Sequence, residues 1–219
     1  MNIVCVIPAR NEVSSVGAVV KKCKPYCSKV VVVDDGSLDG TGDAALEAGA
    51  EVITHDINLG YGAALSTGIM ASSRMNAQII IILDADGQHD PDDIPTLLDP
   101  LFSNAADIVV GSRFLGSSDD MPLRKRIGNR ILSHVATWRS RRNITDSQSG
   151  FRAFKVDAIH GFASQSADDY FWASEALIRT ARAGARIKEV PVRSIYASSR
   201  NRGTSIVDGI KILIKTIRT

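Results

Sequence analysis

Three oxygen-bearing side chains follow an apolar run near the middle of the chain. Residues 79–83 read Ile-Ile-Ile-Ile-Leu, a pattern without polar alternation that is typical of a central strand covered on both faces. Asp84, Asp86 and Gln88 follow at intervals of two residues. If the backbone stays extended, these side chains point to the same side and their oxygens could meet just beyond the strand. Two carboxylates and an amide oxygen suit Mg²⁺ or Mn²⁺, whereas a solvated acidic turn is the alternative for an isolated Asp-x-Asp.

Polar clusters also follow the first three strand-like runs. They are residues 8–12 (Pro-Ala-Arg-Asn-Glu), 34–41 (Asp-Asp-Gly-Ser-Leu-Asp-Gly-Thr) and 58–64 (Asn-Leu-Gly-Tyr-Gly-Ala-Ala). Ligands of open α/β sheets bind beyond the carboxyl ends of the strands, where a carboxylate can accept hydrogen bonds from a ribose or a base. Glycines at a helix start let backbone and ligand approach closely. Each cluster alone is a common turn sequence, but their joint placement favours a nucleotide site.

The elements that would position these clusters alternate in the first half of the chain. Hydrophobic patterns predict strands at residues 3–7, 29–33, 51–54, 79–82 and 107–110. They predict helices over residues 11–23, 38–48, 61–74 and 91–101. In the second half they predict strands at 150–154 and 187–192 and helices at 123–138, 170–183 and 205–218. Repeated β-α units predict an α/β fold with a mostly parallel central sheet and helices on both faces.

Composition is that of a globular protein of one domain. The chain has 219 residues, 44% of them hydrophobic and 23% charged. It shows no basic-then-apolar leader and no apolar stretch of the ~20 residues that span a bilayer, which predicts an intracellular protein. Cys5, Cys23 and Cys27 have no further Cys or His pair nearby to complete a zinc site, so free thiols are expected. The net charge of +2 gives no indication of a nucleic-acid partner, and none is expected.

Six motifs together resemble a known family. They occupy residues 7–12, 33–41, 58–64, 84–89, 111–114 and 146–152. This ordered set, which spans nearly the whole chain, resembles glycosyltransferase family 2, in particular the branch of dolichol-phosphate (polyprenyl-phosphate) mannosyl- and glucosyltransferases. The resemblance implies a GT-A, Rossmann-like fold and one catalytic domain over residues 1–219. Within it, residues 1–115 would bind the nucleotide sugar and residues 116–219 the acceptor.

The resemblance also implies a reaction. The protein would invert the anomeric centre while moving a hexose from a nucleotide-diphosphate sugar, of the GDP-mannose or UDP-glucose type, to a polyprenyl or dolichyl phosphate. The cofactor would be Mg²⁺ or Mn²⁺, and the protein would lie peripherally on the cytoplasmic face of a membrane. The same strand ends would hold guanine or uracil, so both donor types stay open.

Residue roles are carried over from the matching motifs. Nucleotide-sugar contacts are expected from Pro8, Ala9, Arg10, Glu12, Asp34, Asp35, Gly60, Gly62, Asp84 and Ala85. Asp84, Asp86 and Gln88 would hold the metal. Roles near the phosphates, the reacting sugar and the acceptor would fall to Arg113, Asp146, Arg152, Arg200 and Arg202. The branch usually has Arg-x-x-Gly-x-Ser followed by Lys, whereas Ile206 follows here, so either of the last two arginines could contact phosphate.

The role of Asp146 depends on the acceptor. A sugar hydroxyl needs a general base, whereas a lipid phosphate is already ionised near neutral pH and needs alignment and charge screening. With a phosphate acceptor, we expect Asp146 to orient the sugar or an arginine. A family 2 enzyme with a soluble or glycan hydroxyl acceptor is the alternative, and it would share every donor residue.

Two amphipathic segments favour a membrane-bound acceptor. In the first, Leu123, Ile127, Ile131 and Val135 recur every four residues and are interleaved with Arg124, Lys125, Arg126 and Arg130. In residues 206–218, isoleucines and Leu213 share one helical face and basic residues another. Such helices can lie among anionic headgroups, with about 1 kcal/mol contributed per cation. The alternative is that both apolar faces pack on the protein core.

Two other functional classes fit less well. A nicotinamide-dependent dehydrogenase would need a third glycine where the chain has Leu65, and its glycine motif would follow the first strand, not the third. A non-catalytic binding protein is disfavoured by the complete set of Asp84, Asp86 and Gln88.

Overall fold

The described part of the chain forms an α/β structure around one sheet. The computed structural model describes residues 1–116, 121–159, 171–195 and 216. Within these ranges the strands are β1 (Ile3–Ala9), β2 (Lys29–Asp34), β3 (Glu51–Thr54), β4 (Ile79–Ile82), β5 (Ile108–Ser112), β6 (Arg152–Lys155) and β7 (Ile187–Pro191). Their order is β3-β2-β1-β4-β6-β5-β7, and all neighbours are parallel except those of β6. The predicted fold class is thereby confirmed.

Helices cover both faces of the sheet. They are α1 (Val16–Cys23), α2 (Thr41–Glu47), α3 (Tyr61–Arg74), α4 (Ile94–Phe102), α5 (Leu123–Ser140) and α6 (Phe171–Arg182). The predicted helix over residues 205–218, together with Arg200 and Arg202, lies outside the described residues. In the described ranges, no helix combines the length and the hydropathy needed to cross a bilayer.

Three helices begin later than predicted. In each case a side-chain oxygen accepts a backbone N–H near the predicted start and stabilises a loop or turn there. Asn11 has a φ of 53°, and its N–H donates to Ser37 Oγ at 2.9 Å, so residues 11–15 form a loop before α1. Asp39 Oδ1 accepts both the N–H and the hydroxyl of Thr41, which starts α2 at Thr41 instead of residue 38. Pro91–Asp93 form a 3₁₀ turn before α4.

The strand side chains alternate between two hydrophobic cores. Val4 and Val6 of β1 belong to the core that includes residues of α3, α5 and α6, whereas Cys5 and Ile7 belong to the core that includes residues of α1, α2 and α4. All four side chains are fully buried. This two-residue period explains why the central strands carry apolar residues without polar alternation.

The reversed direction of β6 determines which loops meet. Arg152, the first residue of β6, pairs with Ile82 at the end of β4 and with Val110 near the end of β5. The amino end of β6 therefore lies at the same sheet edge as the carboxyl ends of its neighbours. The loop of residues 144–151 is delivered beside Asp84, which a purely parallel sheet would not achieve.

Candidate active site

The Asp84 loop, residues 84–90, follows β4 at the carboxyl edge of the sheet. The chain turns at Ala85 and Asp86, and Gly87 has a φ of 73°. The predicted continuation of extended backbone is therefore wrong, and the three oxygen-bearing side chains belong to one tight turn. Asp86 stabilises that turn, because its Oδ1 accepts the Gln88 N–H at 2.9 Å.

Asp84 is held from two sides. The Tyr61 hydroxyl, in the first turn of α3, donates to Asp84 Oδ1 at 2.9 Å. Gly150, in the loop before β6, packs so closely that an added Cβ would lie 2.6 Å from the Asp84 carboxyl carbon. The position of this carboxylate is thus fixed jointly by α3 and by the loop before β6.

The electrostatics of the Asp84 loop fit a divalent cation. Burial, and after it the negative charge of Asp86, raises the pKa of Asp84 to about 6, although the Tyr61 hydroxyl and two nearby arginines act in the opposite direction. Two carboxylates that repel one another in a partly buried loop are stabilised by a bound cation. The described residues contain no group of three or more His, Cys, Asp or Glu side chains arranged as a metal site. A cation here would therefore use two carboxylates, the Gln88 amide and oxygens from phosphate or water.

The loops after β1 and β2 are joined by hydrogen bonds into one wall of the site. Leu38 N–H donates to Asn11 Oδ1 at 3.1 Å, and Val13 N–H donates to Asp39 Oδ2 at 3.2 Å. Pro8 and Ala9 are buried at the end of β1, whereas in the loop that follows Arg10 is exposed and Glu12 is partly exposed. The polar cluster of residues 8–12 is therefore fixed in place, and its Arg10 side chain is open to solvent.

Asp35 forms the centre of a structural clamp. Its Oδ1 contacts the His55 ring nitrogen Nδ1 at 2.8 Å and accepts the Leu59 N–H, and its Oδ2 accepts the Gly60 N–H at 2.9 Å. Asp34, also buried, accepts the Ser37 N–H through Oδ1. Asp35 thereby ties the end of β2 to the glycine-containing start of α3, where Gly60 has a φ of 96°. Nucleotide contact by either carboxylate stays a prediction.

A buried ion pair lies near the loop before β6. Arg113, directly after β5, binds Asp146 through Nε and Nη2, both at 2.8 Å. The Asp146 side chain is fully buried. Burial alone would raise the pKa of Asp146, but the charge and hydrogen bonds of Arg113 bring it below its ordinary value. Asp146 is consequently an anion that holds the Arg113 guanidinium in a fixed plane.

The loop that carries Asp146 is itself held by two charged side chains, Glu189 and Arg152. Glu189 of β7 accepts the N–H groups of Thr145 and Asp146 at 2.8 and 3.0 Å. Arg152 donates to the carbonyl oxygens of Ser147 and Ser149 at 2.8 and 2.9 Å. Burial lowers the pKa of Arg152 to about 10, which leaves it cationic at neutral pH. Arg152 therefore combines a loop-holding role with a positive charge at the site.

Comparison with known proteins identifies the family. The model of "Glycosyl transferase family 2" matches residues 4–162, which include the Asp84 loop and the Arg113–Asp146 pair. The chain belongs to glycosyltransferase family 2.

Curated relatives of this family 2 chain match over nearly its whole length. An uncharacterized protein of Methanocaldococcus jannaschii is 40% identical, with 97% of this chain and 89% of the relative covered. The UDP-N-acetylglucosamine–dolichyl-phosphate N-acetylglucosaminyltransferase of Methanococcus voltae is 35% identical, with 97% and 93% covered. The undecaprenyl-phosphate mannosyltransferase of Micrococcus luteus is 30% identical, with 95% and 88% covered. These names support the predicted resemblance to the polyprenyl-phosphate branch.

Solved structures confirm the GT-A fold of this glycosyltransferase. Glucosyl-3-phosphoglycerate synthase from Mycobacterium tuberculosis, in complex with Mn²⁺ and UDP-glucose, superposes with a TM-score of 0.78. The alignment covers 99% of this chain and 79% of that one at 22% identity. At this identity the likeness concerns the fold.

The structure of this family 2 member brings most predicted site residues to one sheet edge. It also reveals contributors that sequence patterns did not indicate, namely Tyr61, Gly150, Glu189 and His55. Tyr61 and Gly150 lie inside two of the sequence motifs. The motifs indicated that both residues belong to the site, but not that both contact Asp84. Glu189 and His55 carried no signal, because their partners lie 12 or more residues away in sequence.

Proposed function

We propose that this glycosyltransferase moves a hexose from a nucleotide-diphosphate sugar, of the GDP-mannose or UDP-glucose type, to a polyprenyl or dolichyl phosphate, inverting the anomeric centre. The observation that carries the proposal is the Arg113–Asp146 pair, set beside the Asp84 loop in a chain whose named relatives use polyprenyl phosphates. The donor half and the acceptor half of the argument rest on different residues.

The donor half rests on the carboxyl edge of β1, β2 and β4. The joined loops after β1 and β2 would accept the nucleoside, and Asp84 would approach the ribose and diphosphate. Asp84, Asp86 and Gln88 would hold Mg²⁺ or Mn²⁺, which would stabilise the negative charge of the departing nucleoside diphosphate. Cationic Arg113 and Arg152 add positive charge at the same edge and would stabilise the same developing charge.

The acceptor half rests on the state of Asp146. A general base must be able to take a proton, and its pKa is best placed near the working pH. Asp146 has a depressed pKa, and both its oxygens are engaged by Arg113. It is thus suited to orient an arginine and poorly suited to deprotonate a hydroxyl. A phosphate acceptor, which is ionised already, needs no such base.

The outer face of α5 supports an acceptor at a membrane surface. Leu123, Ile127 and Ile131 are 70%, 52% and 50% exposed, in one row at intervals of four residues. The inner face of the same helix contacts the loop of residues 144–151, which carries Asp146. Here Ser133 Oγ accepts the Ser147 N–H at 2.9 Å. With its basic neighbours, this row would rest among anionic headgroups and bring the lipid phosphate near Arg113. We place the protein peripherally on the cytoplasmic face.

The test is a transfer assay with three labelled donors. Purified protein is incubated with Mn²⁺ or Mg²⁺, a short polyprenyl phosphate and, separately, GDP-mannose, UDP-glucose or UDP-N-acetylglucosamine. We expect label from one donor to enter the organic phase, and Asp86→Ala to lower this by at least about 100-fold through loss of a metal ligand. Nucleotide release without organic label would support the donor half and contradict the lipid acceptor. Equal transfer by the Asp86→Ala variant would contradict the metal site.

A further inference from the structure

The segment after β7 is attached to the Asp84 loop and to the turn that follows it. Arg193 donates three hydrogen bonds to Asp93: its backbone N–H binds Oδ2 at 2.7 Å, and its guanidinium Nε and Nη2 bind Oδ1 at 3.0 and 2.9 Å. A further guanidinium nitrogen, Nη1, lies 3.3 Å from Asp90 Oδ2. Arg193 therefore connects the end of β7 to both ends of the short turn at residues 90–93.

The next two residues pair with the backbone of the Asp84 loop itself. Ser194 forms an antiparallel bridge with His89, and the Ile195 N–H donates to the Gln88 carbonyl oxygen at 2.8 Å. From the inner side, the buried His89 ring packs on Phe151 with a centroid separation of 5.4 Å. Gln88 and His89 are thus held between the segment of residues 193–195 and the protein core.

We propose that Arg193 is a positioning residue for the metal site, acting through the pairing of residues 194–195 with residues 88–89. The proposal rests on the proposed metal role of Gln88. With the arginine fork in place, the segment of residues 193–195 lies against the Asp84 loop and fixes the backbone from which the Gln88 amide projects. Without it, the Ile195–Gln88 hydrogen bond loses its anchor, and the backbone that carries the Gln88 amide is no longer held against the segment of residues 193–195.

The opposite end of β7 provides a matched control. Arg186, just before β7, binds Asp107 with its backbone N–H at 3.0 Å and with Nη2 at 2.7 Å. The geometry resembles that of Arg193 and Asp93, and the two arginines are 49% and 54% exposed. Because Arg186 lies at the amino end of the strand, its pair is remote from the Asp84 loop. The two pairs separate a general loss of stability from an effect on the metal site.

The experiment measures Mn²⁺ affinity by titration calorimetry, together with the unfolding midpoint of each variant. We expect Arg193→Ala to weaken Mn²⁺ binding about tenfold, the lower end of what loss of a ligand-orienting partner costs. Arg193→Lys keeps the charge but lacks the planar fork, so its Mn²⁺ affinity should lie between those of the wild type and Arg193→Ala. Arg186→Ala should lower the unfolding midpoint by a similar amount and leave Mn²⁺ affinity within about twofold of the wild type.

The outcomes distinguish this inference from the proposed function. Wild-type binding that Asp86→Ala abolishes and Arg193→Ala leaves unchanged would overturn the positioning role alone. Equal weakening by Arg186→Ala would overturn it too, by attributing the effect to stability. If the wild type binds no Mn²⁺, the proposed metal site and this role fail together. If Arg193→Ala does not fold, Arg193→Lys and Asp93→Asn replace it. Mn²⁺ affinity within about twofold of the wild type in both variants would then overturn the positioning role.

Discussion

At the scale of single residues, the position of Asp84 depends on three neighbours from different parts of the chain. The Tyr61 hydroxyl of α3 donates to one carboxylate oxygen, the Asp86 carboxylate repels the Asp84 charge, and Gly150 leaves no room for a Cβ beside it. Position 150 needs glycine for room and not for backbone conformation, because its φ is not in the left-handed region. The lack of a side chain at one position therefore sets the place of a carboxylate in a distant loop.

Gly150→Ala should consequently disable the site more than it destabilises the fold. The added methyl would lie 2.6 Å from the Asp84 carboxyl carbon and closer still to Oδ2, so the carboxylate must move. We expect transfer activity to fall by at least about tenfold, and the free energy of unfolding to fall by about 1–3 kcal/mol, as for other overpacked sites. Steady-state kinetics and urea unfolding measure the two effects.

Gly128→Ala is the control for this substitution. An added Cβ at Gly128, within α5, meets nothing within 4 Å. Alanine should therefore stabilise the helix by about 0.5–1 kcal/mol and leave transfer unchanged. Full activity of Gly150→Ala would show that Asp84 does not need its present position.

At the scale of elements, the sheet was predictable because its strands are local patterns. The apolar runs at β1, β2 and β4 each identify a buried strand, and the polar clusters after them identify the sheet edge at which the proposed site lies. The order of β6 and its direction were not predictable, because four apolar and basic residues carry no record of their partners. For the same reason, sequence patterns did not indicate Glu189 or Arg193 as supports of the site.

The ion pair of Asp107 and Arg186, just before the amino ends of β5 and β7, gives a pH-dependent prediction. Hydrogen bonds from Arg186 lower the pKa of Asp107 from 3.8 to about 2. Because the folded-state pKa is the lower one, the pair stabilises the protein fully above about pH 5 and loses this contribution as the pH falls toward 2. Asp107→Asn should lower the free energy of unfolding by about 1–2 kcal/mol at pH 7, since the half-exposed arginine is partly screened by solvent.

Urea unfolding between pH 7 and pH 2.5 tests the role of Asp107. The difference between wild type and Asp107→Asn should shrink as the pH falls. Asp99→Asn, at an exposed position of α4, is the matched control and should show no comparable pH-dependent difference. A constant difference across the range would mean that the Asp107 charge contributes nothing to stability.

At the scale of the whole molecule, α5 connects the loop of Asp146 to the protein surface. The inner face of α5 holds the loop of Asp146, and Arg130 of α5 stacks over Phe114 at 5.6 Å, next to Arg113. The outer face exposes its apolar row. A surface that binds lipid would thus be one helix diameter from the ion pair that would receive the lipid phosphate.

We expect the protein to bind anionic vesicles at low salt through this outer face. Charge attracts the basic helix to the headgroups, and the apolar row adds burial in the interface, so binding should weaken as salt rises. The double variant Ile127→Ser/Ile131→Ser should weaken binding by about tenfold or more, because each of these exposed isoleucines would contribute about 1 kcal/mol on partial burial among the headgroups. Met70→Ser, which removes a 57% exposed side chain on α3, should bind as the wild type does.

Flotation with anionic and neutral vesicles measures the binding of the wild type and of both variants. Salt-insensitive binding, or an unchanged double variant, would mean that α5 does not face the membrane and that the lipid phosphate reaches Arg113 by another route.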